Sequence, residues 1–102
     1  MINIDRIGRV RGIYVGRPSP LGNPFAIGKD GTRDEVIAQY WQWLRRQWVL
    51  RTPVRTALER LVTQYQRTGV LTLLCHCSPK RCHASVIADA IHKLSTRAGH
   101  RA

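Results

Sequence analysis

The sequence predicts a small, layered α/β domain with a short, mostly parallel sheet and about three helices, in the order β-(β)-α-α-β-α. The apolar residues 70–74 form a short buried-strand pattern and are followed, after a loop, by an amphipathic helical pattern. Two further helical patterns separate this strand from an N-terminal one, as a crossover between parallel strands requires. A chain of 102 residues suffices for one such domain, which we assign to residues 1–96, with a frayed basic tail at 97–102.

The N-terminal third predicts strands and then a loop. Residues 2–7 alternate apolar and polar, as a half-buried strand does, and residues 13–15 are a second short strand candidate. The region 2–15 is therefore either a hairpin or one bent strand. Residues 16–24 contain three prolines and two glycines and predict a loop with a defined path, which we name the proline loop (residues 16–25).

Capping signals predict the helices. Thr32 and Glu35 have the spacing of a capping box, which begins a helix at about residues 33–50. Thr52 and Pro53 begin a second helix, and Gly69 suits its C-terminal end. The third helix has its apolar residues at helical spacing: Ala84, Ile87, Ala88, Ile91 and Leu94.

The start of the third helix has two interpretations. Ser78 could cap it, with Pro79 in the first turn. Alternatively, the helix begins a few residues later, and residues 79–81 belong to a loop.

The composition predicts an anionic partner. The formal net charge is +11, and 14 of the 17 basic residues are arginine, which suits bidentate contacts with phosphate. The partner would be a nucleotide, another anionic ligand or nucleic acid, and the alternative is an arginine-rich solvated surface. No apolar stretch is long enough to cross a membrane, so we expect no membrane partner and a cytoplasmic location. The oligomeric state stays open, and a dimer could complete a pocket.

The cysteine segment (residues 75–83) concentrates metal ligands and nucleophiles. Cys75, His76, Cys77, Cys82 and His83 lie within nine residues. A zinc ion held by the three cysteines, with an open fourth position, is one interpretation. The adjacent Cys82 and His83 reach one ion less easily, so His83 is the weaker ligand.

A metal-free thiol site is the second interpretation of the cysteine segment. A helix N-terminus and the neighbouring Lys80 and Arg81 would favour the thiolate of Cys82. His83 or His76 could then act as a base or position a ligand. Cys75 taken alone is better explained as a small buried residue at a strand end.

The proline loop offers binding groups of its own. Arg17, Ser19 and Asn23 provide a guanidinium, a hydroxyl and an amide. If the N-terminal strands lie beside residues 70–74, this loop and the cysteine segment form opposite walls of one pocket. The alternative is a rigid turn in which Asn23 bonds only to local backbone.

Both segments, in this order, resemble the bacterial and phage family known as domain of unknown function 4326. The resemblance lies in residues 16–25 and 75–83, and it covers nearly the whole chain. Residues 73–91 are also similar to the signature of domain of unknown function 488, although Ala84 stands where that family has arginine. The resemblance implies a compact α/β domain with a Cys/His site, and many relatives look phage-borne or lie near nucleic-acid functions.

These observations predict a small enzyme or ligand-binding domain that acts on a nucleotide, a nucleobase or nucleic acid. Cys75, Cys77, Cys82 and His83 would carry the reactive or metal centre, while residues of both loops bind the ligand: Arg17, Ser19, Asn23, Lys80 and Arg81. The rival hypothesis is a basic nucleic-acid-binding accessory protein in which the cysteines are structural. Its phosphate contacts would come from the two middle helices, at Arg45, Arg46, Arg51, Arg55, Arg60 and Arg67.

Overall fold

A computed structural model describes residues 1–77 and 80–99, with side chains through residue 96, and confirms the α/β fold. The elements follow in the order β1 (Ile2–Arg6), β2 (Ile13–Tyr14), α1 (Arg33–Leu50), α2 (Pro53–Thr68), β3 (Leu71–Cys75) and α3 (His83–Gly99). Of the helices in these described ranges, none is long and apolar enough to cross a membrane.

The three strands form a parallel sheet in the order β1-β3-β2. Ile2 of β1 is opposite Leu71, and Ile13 of β2 is opposite Leu73 on the other edge of β3. The predicted hairpin or bent strand over residues 2–15 is therefore wrong. The physical reason is that β3 is almost entirely buried and needs a hydrogen-bonding partner on each edge, which β1 and β2 supply separately.

The helix boundaries agree with the capping signals. Thr32 Oγ1 accepts the Glu35 N–H, and the Glu35 carboxylate accepts the Thr32 N–H at 2.9 Å. Thr52 caps α2, with Pro53 as its first residue, and the helix ends at Thr68, followed by the C-cap Gly69 in the left-handed conformation with φ of 73°.

The core lies where α2 and α3 pack on β3 and α1 packs on both of those helices. Tyr40 of α1 is completely buried, and its hydroxyl donates a hydrogen bond of 2.7 Å to the carbonyl of Leu21. Leu21 is itself buried, although it belongs to the proline loop. The core therefore includes the proline loop and fixes its path.

Helix α3 begins later than the Ser78 cap would place it, and it extends into the residues that the sequence analysis assigned to a tail. It starts at His83, which agrees with the later of the two predicted starts, while the proposed cap at Ser78 and Pro79 lies outside the described residues. The helix continues to Gly99, so the predicted frayed tail is helical at residues 97–99. Residues without an apolar pattern extend the helix because each adds one backbone hydrogen bond. The remainder of the predicted tail, residues 100–102, lies outside the described residues.

The Tyr40 hydroxyl supports a stability prediction. Y40F keeps the ring but leaves the buried Leu21 carbonyl without its donor, so we expect a loss of about 1–2 kcal/mol in the free energy of unfolding. Urea unfolding measures it. Y65F is the matched control, because the Tyr65 hydroxyl only accepts an exposed hydrogen bond of 3.2 Å from the N-terminal amine. Equal losses in both variants would contradict the structural role of Tyr40.

Candidate functional site

A cavity of about 440 Å³ lies at the carboxyl end of the sheet. The proline loop forms one wall, the cysteine segment forms another, and the first turn of α1 closes a third side. The two loops meet here because β2 and β3 are parallel neighbours, so their carboxyl ends lie at the same edge. The structure thus brings together the two segments that the sequence analysis placed on opposite walls of a pocket.

Cys75 and Cys82 form part of the cavity floor. Cys75 ends β3 and is 1% exposed, whereas Cys82 immediately precedes α3 and is 6% exposed. Their sulfur atoms are 3.4 Å apart, and Cys82 Sγ also accepts the N–H of Ala84 at 3.4 Å. Cys82 therefore occupies the N-cap position of α3. Cys77 is half-buried and lines the same cavity.

The electrostatic setting of Cys82 differs from the sequence prediction. Burial raises the pKa of the Cys82 thiol to about 12, and the neighbouring Cys75 and Cys77 act in the same direction. The hydrogen bond from Ala84 lowers the pKa but does not outweigh burial. Burial thus disfavours the thiolate that the sequence analysis expected at Cys82, and both of the cations expected to stabilise it, Lys80 and Arg81, are exposed to water.

His83 lies beside the cysteines, where burial favours the neutral imidazole over the charged form. Its Nε2 is 2.7 Å from the carbonyl oxygen of Val15, which can only accept, so Nε2 carries the proton. Burial lowers the pKa of His83 and the charge of Arg17 lowers it further, whereas the Val15 carbonyl acts in the opposite direction. The ring of Tyr40 packs edge-on against the imidazole at 5.1 Å. Through its hydrogen bond to Val15, His83 joins the start of α3 to the residue that follows β2.

Three arginines surround the cavity: Arg17, Arg33 and Arg81. Arg33 donates a hydrogen bond of 2.8 Å to the Arg81 carbonyl, which joins α1 to the cysteine segment. Arg81 forms a 3.1 Å ion pair with Asp34, but both side chains are exposed, so the pair contributes little to stability. No Asp or Glu occurs among the described residues that line the cavity. This lining favours an anion.

Contacts within the proline loop and with α1 define the path of the loop. Asn23 lines the cavity, yet its Oδ1 accepts the Phe25 N–H at 2.9 Å and its Nδ2 donates to the Val36 carbonyl at 3.4 Å. A Cβ atom at Gly22 would come within 2.9 Å of the Arg17 backbone, so this close approach requires glycine. Asn23 thus bonds both to the loop's own backbone and to α1, so the alternative in which it bonds only to local backbone is wrong, and the loop forms a wall of the cavity.

The remaining predicted binding residues do not line the cavity. Ser19 is half-buried, and its Oγ has no hydrogen-bond partner in the part of the chain that the structure describes. Lys80 is exposed and is likewise not part of the lining. Their roles in ligand binding stay predictions without support from the cavity.

Sequence reasoning missed Arg33 and Tyr14 as lining residues, whereas it had already named His76 as a possible base or positioning group. The capping signal at Thr32 correctly predicted that Arg33 begins α1. No feature of the neighbouring sequence indicated that this first turn faces the cysteine segment. Tyr14 and His76 pack edge to face at 5.5 Å, and the Tyr14 hydroxyl donates to the Arg17 carbonyl at 2.6 Å. Phe25 adds another ring to a lining that also includes the imidazole of His83. The cavity therefore combines aromatic rings with guanidinium groups.

The predicted zinc site is not assembled in the described residues. Within residues 1–77 and 80–99, no group of three His, Cys, Asp or Glu side chains is arranged to hold a metal ion. Zinc ligation by Cys75, Cys77 and Cys82 accordingly stays a prediction.

The family comparison covers the region that contains the site. The family model described as Domain of unknown function (DUF4326) matches residues 3–93, which includes both walls of the cavity. The chain belongs to this family, as its resemblance indicated. Comparison with curated proteins and with solved structures gave no match.

The buried His83 predicts a loss of stability in mild acid. Its folded-state pKa is lowered below the ordinary value of 6.5, so the unfolded chain takes up the proton first. The stabilising contribution is complete above pH 6.5 and decreases as the pH falls below that value. Urea unfolding of the wild type should show this decrease.

H83Q is the informative variant, because the glutamine amide can still donate to the Val15 carbonyl but takes up no proton. We expect a smaller fall in its unfolding free energy over the same pH interval. H92Q, which removes an exposed histidine from the same helix, controls for the loss of an imidazole and should behave as the wild type. An undiminished fall in H83Q would show that another group is responsible.

Proposed function

We propose that this domain binds a nucleotide in the cavity between the proline loop and the cysteine segment, as a small enzyme or ligand-binding domain. One observation carries the proposal: three arginines surround a cavity whose described lining contains no carboxylate. Guanidinium groups bind phosphate oxygens bidentately, and a pocket without carboxylates does not repel that charge.

The size and the apolar lining support a nucleotide rather than a simple inorganic anion. A volume of about 440 Å³ lies within the range of small-molecule sites. Tyr14, Phe25 and His76 offer aromatic surfaces near the guanidinium groups, and aromatic rings stack on nucleobases. Arg17 would contact the phosphate, because its side chain is exposed at the rim while its carbonyl is fixed by Tyr14.

Any chemistry on the ligand would start from the floor of the cavity. Cys77 is the least buried of the three thiols that line it, which makes Cys77 the accessible nucleophile. The high pKa of Cys82 disfavours a thiolate there, and the proton on His83 Nε2 leaves Nδ1 as the acceptor nitrogen. We therefore propose binding as the primary activity, with Cys77 rather than Cys82 as the candidate nucleophile.

The exposed arginines of α1 and α2 favour a second candidate, nucleic-acid binding. Five of the six arginines named by the rival hypothesis are exposed: Arg45, Arg46, Arg51, Arg60 and Arg67. Arg55 is engaged within the protein, since it stacks 4.1 Å from the Trp48 ring and donates to the Trp48 carbonyl at 2.9 Å. A polymer bound on these helices would not need the cavity.

The test of the cavity is calorimetric titration with nucleoside mono-, di- and triphosphates. R17Q should weaken binding of the best ligand by about 10-fold or more, because a hydrogen bond to a charged group is worth about 1.5–3 kcal/mol. R60Q, an exposed arginine on α2 outside the cavity, is the matched control and should change the Kd by less than about twofold. Equal effects of the two variants, or no binding of any nucleotide, would refute the proposal.

Salt dependence separates the two candidates. A single-stranded oligonucleotide bound through α1 and α2 should lose affinity steeply with added salt. Each phosphate that the protein neutralises releases about 0.7 counterions, and the salt dependence of the affinity increases with the number of such contacts. In that case R46Q and R60Q should weaken oligonucleotide binding while R17Q leaves it unchanged. A nucleotide in the cavity makes few phosphate contacts and should show a shallow slope.

A further inference from the structure

Two buried thiols meet at the junction of β3 and α3. Cys75 Sγ and Cys82 Sγ are 3.4 Å apart, and the Cys82 thiol donates to the Cys75 sulfur. Each residue is positioned by a separate element: Cys75 is paired with Arg6 in the sheet, and Cys82 caps α3 through the Ala84 N–H. The contact joins two fixed elements across the six residues 76–81.

We infer that Cys75 and Cys82 are a redox modification site, in which hydrogen peroxide converts the thiol pair into a disulfide. One of the two sulfurs attacks a peroxide oxygen as the thiolate, a minor species at a buried thiol such as Cys82, so the step is slow. The S–O bond forms, the O–O bond breaks, and the leaving hydroxide takes up the proton released by the thiol and departs as water. The second thiol then attacks the sulfenic sulfur, so the S–S bond forms, the S–O bond breaks and a second water leaves. The two thiols lose two electrons and two protons in total, and the peroxide gains both.

The geometry supports this pair rather than another. A disulfide needs a separation of about 2.05 Å, so the two sulfur atoms must approach by little more than 1 Å. Both residues border the cavity, which is the route for peroxide, although their side chains are only 1% and 6% exposed and should therefore react slowly. Cys77 also lines the cavity and is the competing thiol, but among the described hydrogen bonds only Cys75 and Cys82 have sulfur in contact with sulfur.

The inference is independent of the proposed nucleotide. It concerns the covalent state of the protein, which a mass measurement reports whether or not a ligand binds. The two proposals can therefore fail separately.

Peptide mapping of the full chain tests the inference. Protein reduced and treated with a chelator is exposed to hydrogen peroxide, and the remaining thiols are blocked with N-ethylmaleimide. Trypsin cleaves after Lys80 and Arg81, which places Cys75 and Cys77 on one peptide and Cys82 on another. We expect the two peptides to be joined in the oxidised sample, with maleimide on Cys77, and to separate on reduction.

Variants assign the partner of Cys82. C77S should retain the joined peptides. C75S should lose them, and its Cys82 should then be either labelled by maleimide or oxidised beyond the sulfenic acid. Loss of the joined peptides in C77S, or maleimide on Cys75 of the oxidised wild type, would overturn the inference. So would oxidation of the wild type to sulfinic or sulfonic acids without joined peptides. The wild-type labelling pattern decides the question even if C75S fails to fold.

Discussion

The burial of β3 is the constraint on which the rest of the structure depends. Leu71, Leu73, Leu74 and Cys75 are buried, so the strand needs apolar cover and hydrogen-bonding partners on both edges. Because β1 and β2 pair with the two edges of β3 in parallel orientation, the loops that follow β2 and β3 lie at the same end of the sheet. The cavity exists because those loops must diverge there before the chain enters α1 and α3.

Burial also divides the cavity into a neutral floor and a charged rim. At the floor it disfavours the charged forms of Cys82 and His83, raising the pKa of the thiol and lowering that of the imidazole. The guanidinium groups of Arg33 and Arg81 reach the cavity from segments that retain contact with water. A net charge of +11 therefore coexists with an un-ionised Cys82 thiol, because the charges surround the floor without entering it.

Local signals predicted the helices well and the sheet only in part. The Thr32 cap, the Thr52 cap and Gly69 each act within a few residues, so the sequence alone specifies α1 and α2. The pairing of β2 with β3 joins residues about sixty positions apart, and a strand of two residues carries too short a pattern to indicate its partner. The same limit applies to the site. The position of its two walls follows from the strand order, but no sequence motif marks Arg33 or Tyr14 as lining residues. The charged neighbours of Cys82 likewise gave no indication that its side chain is buried.

Four contacts hold together the segments around the cavity, and two of them, those of His83 and Arg33, join elements that are not consecutive in the chain. His83 binds the Val15 carbonyl, Tyr40 binds the Leu21 carbonyl, Arg33 binds the Arg81 carbonyl, and the sulfurs of Cys75 and Cys82 touch. Three of the four end on backbone carbonyl oxygens, so they fix the paths of the loops rather than the conformations of their side chains. The fourth joins two side chains and is the one that can become covalent. The oxidation proposed for the thiol pair would therefore act at the junction of β3 and α3, beneath the rim that carries the arginines.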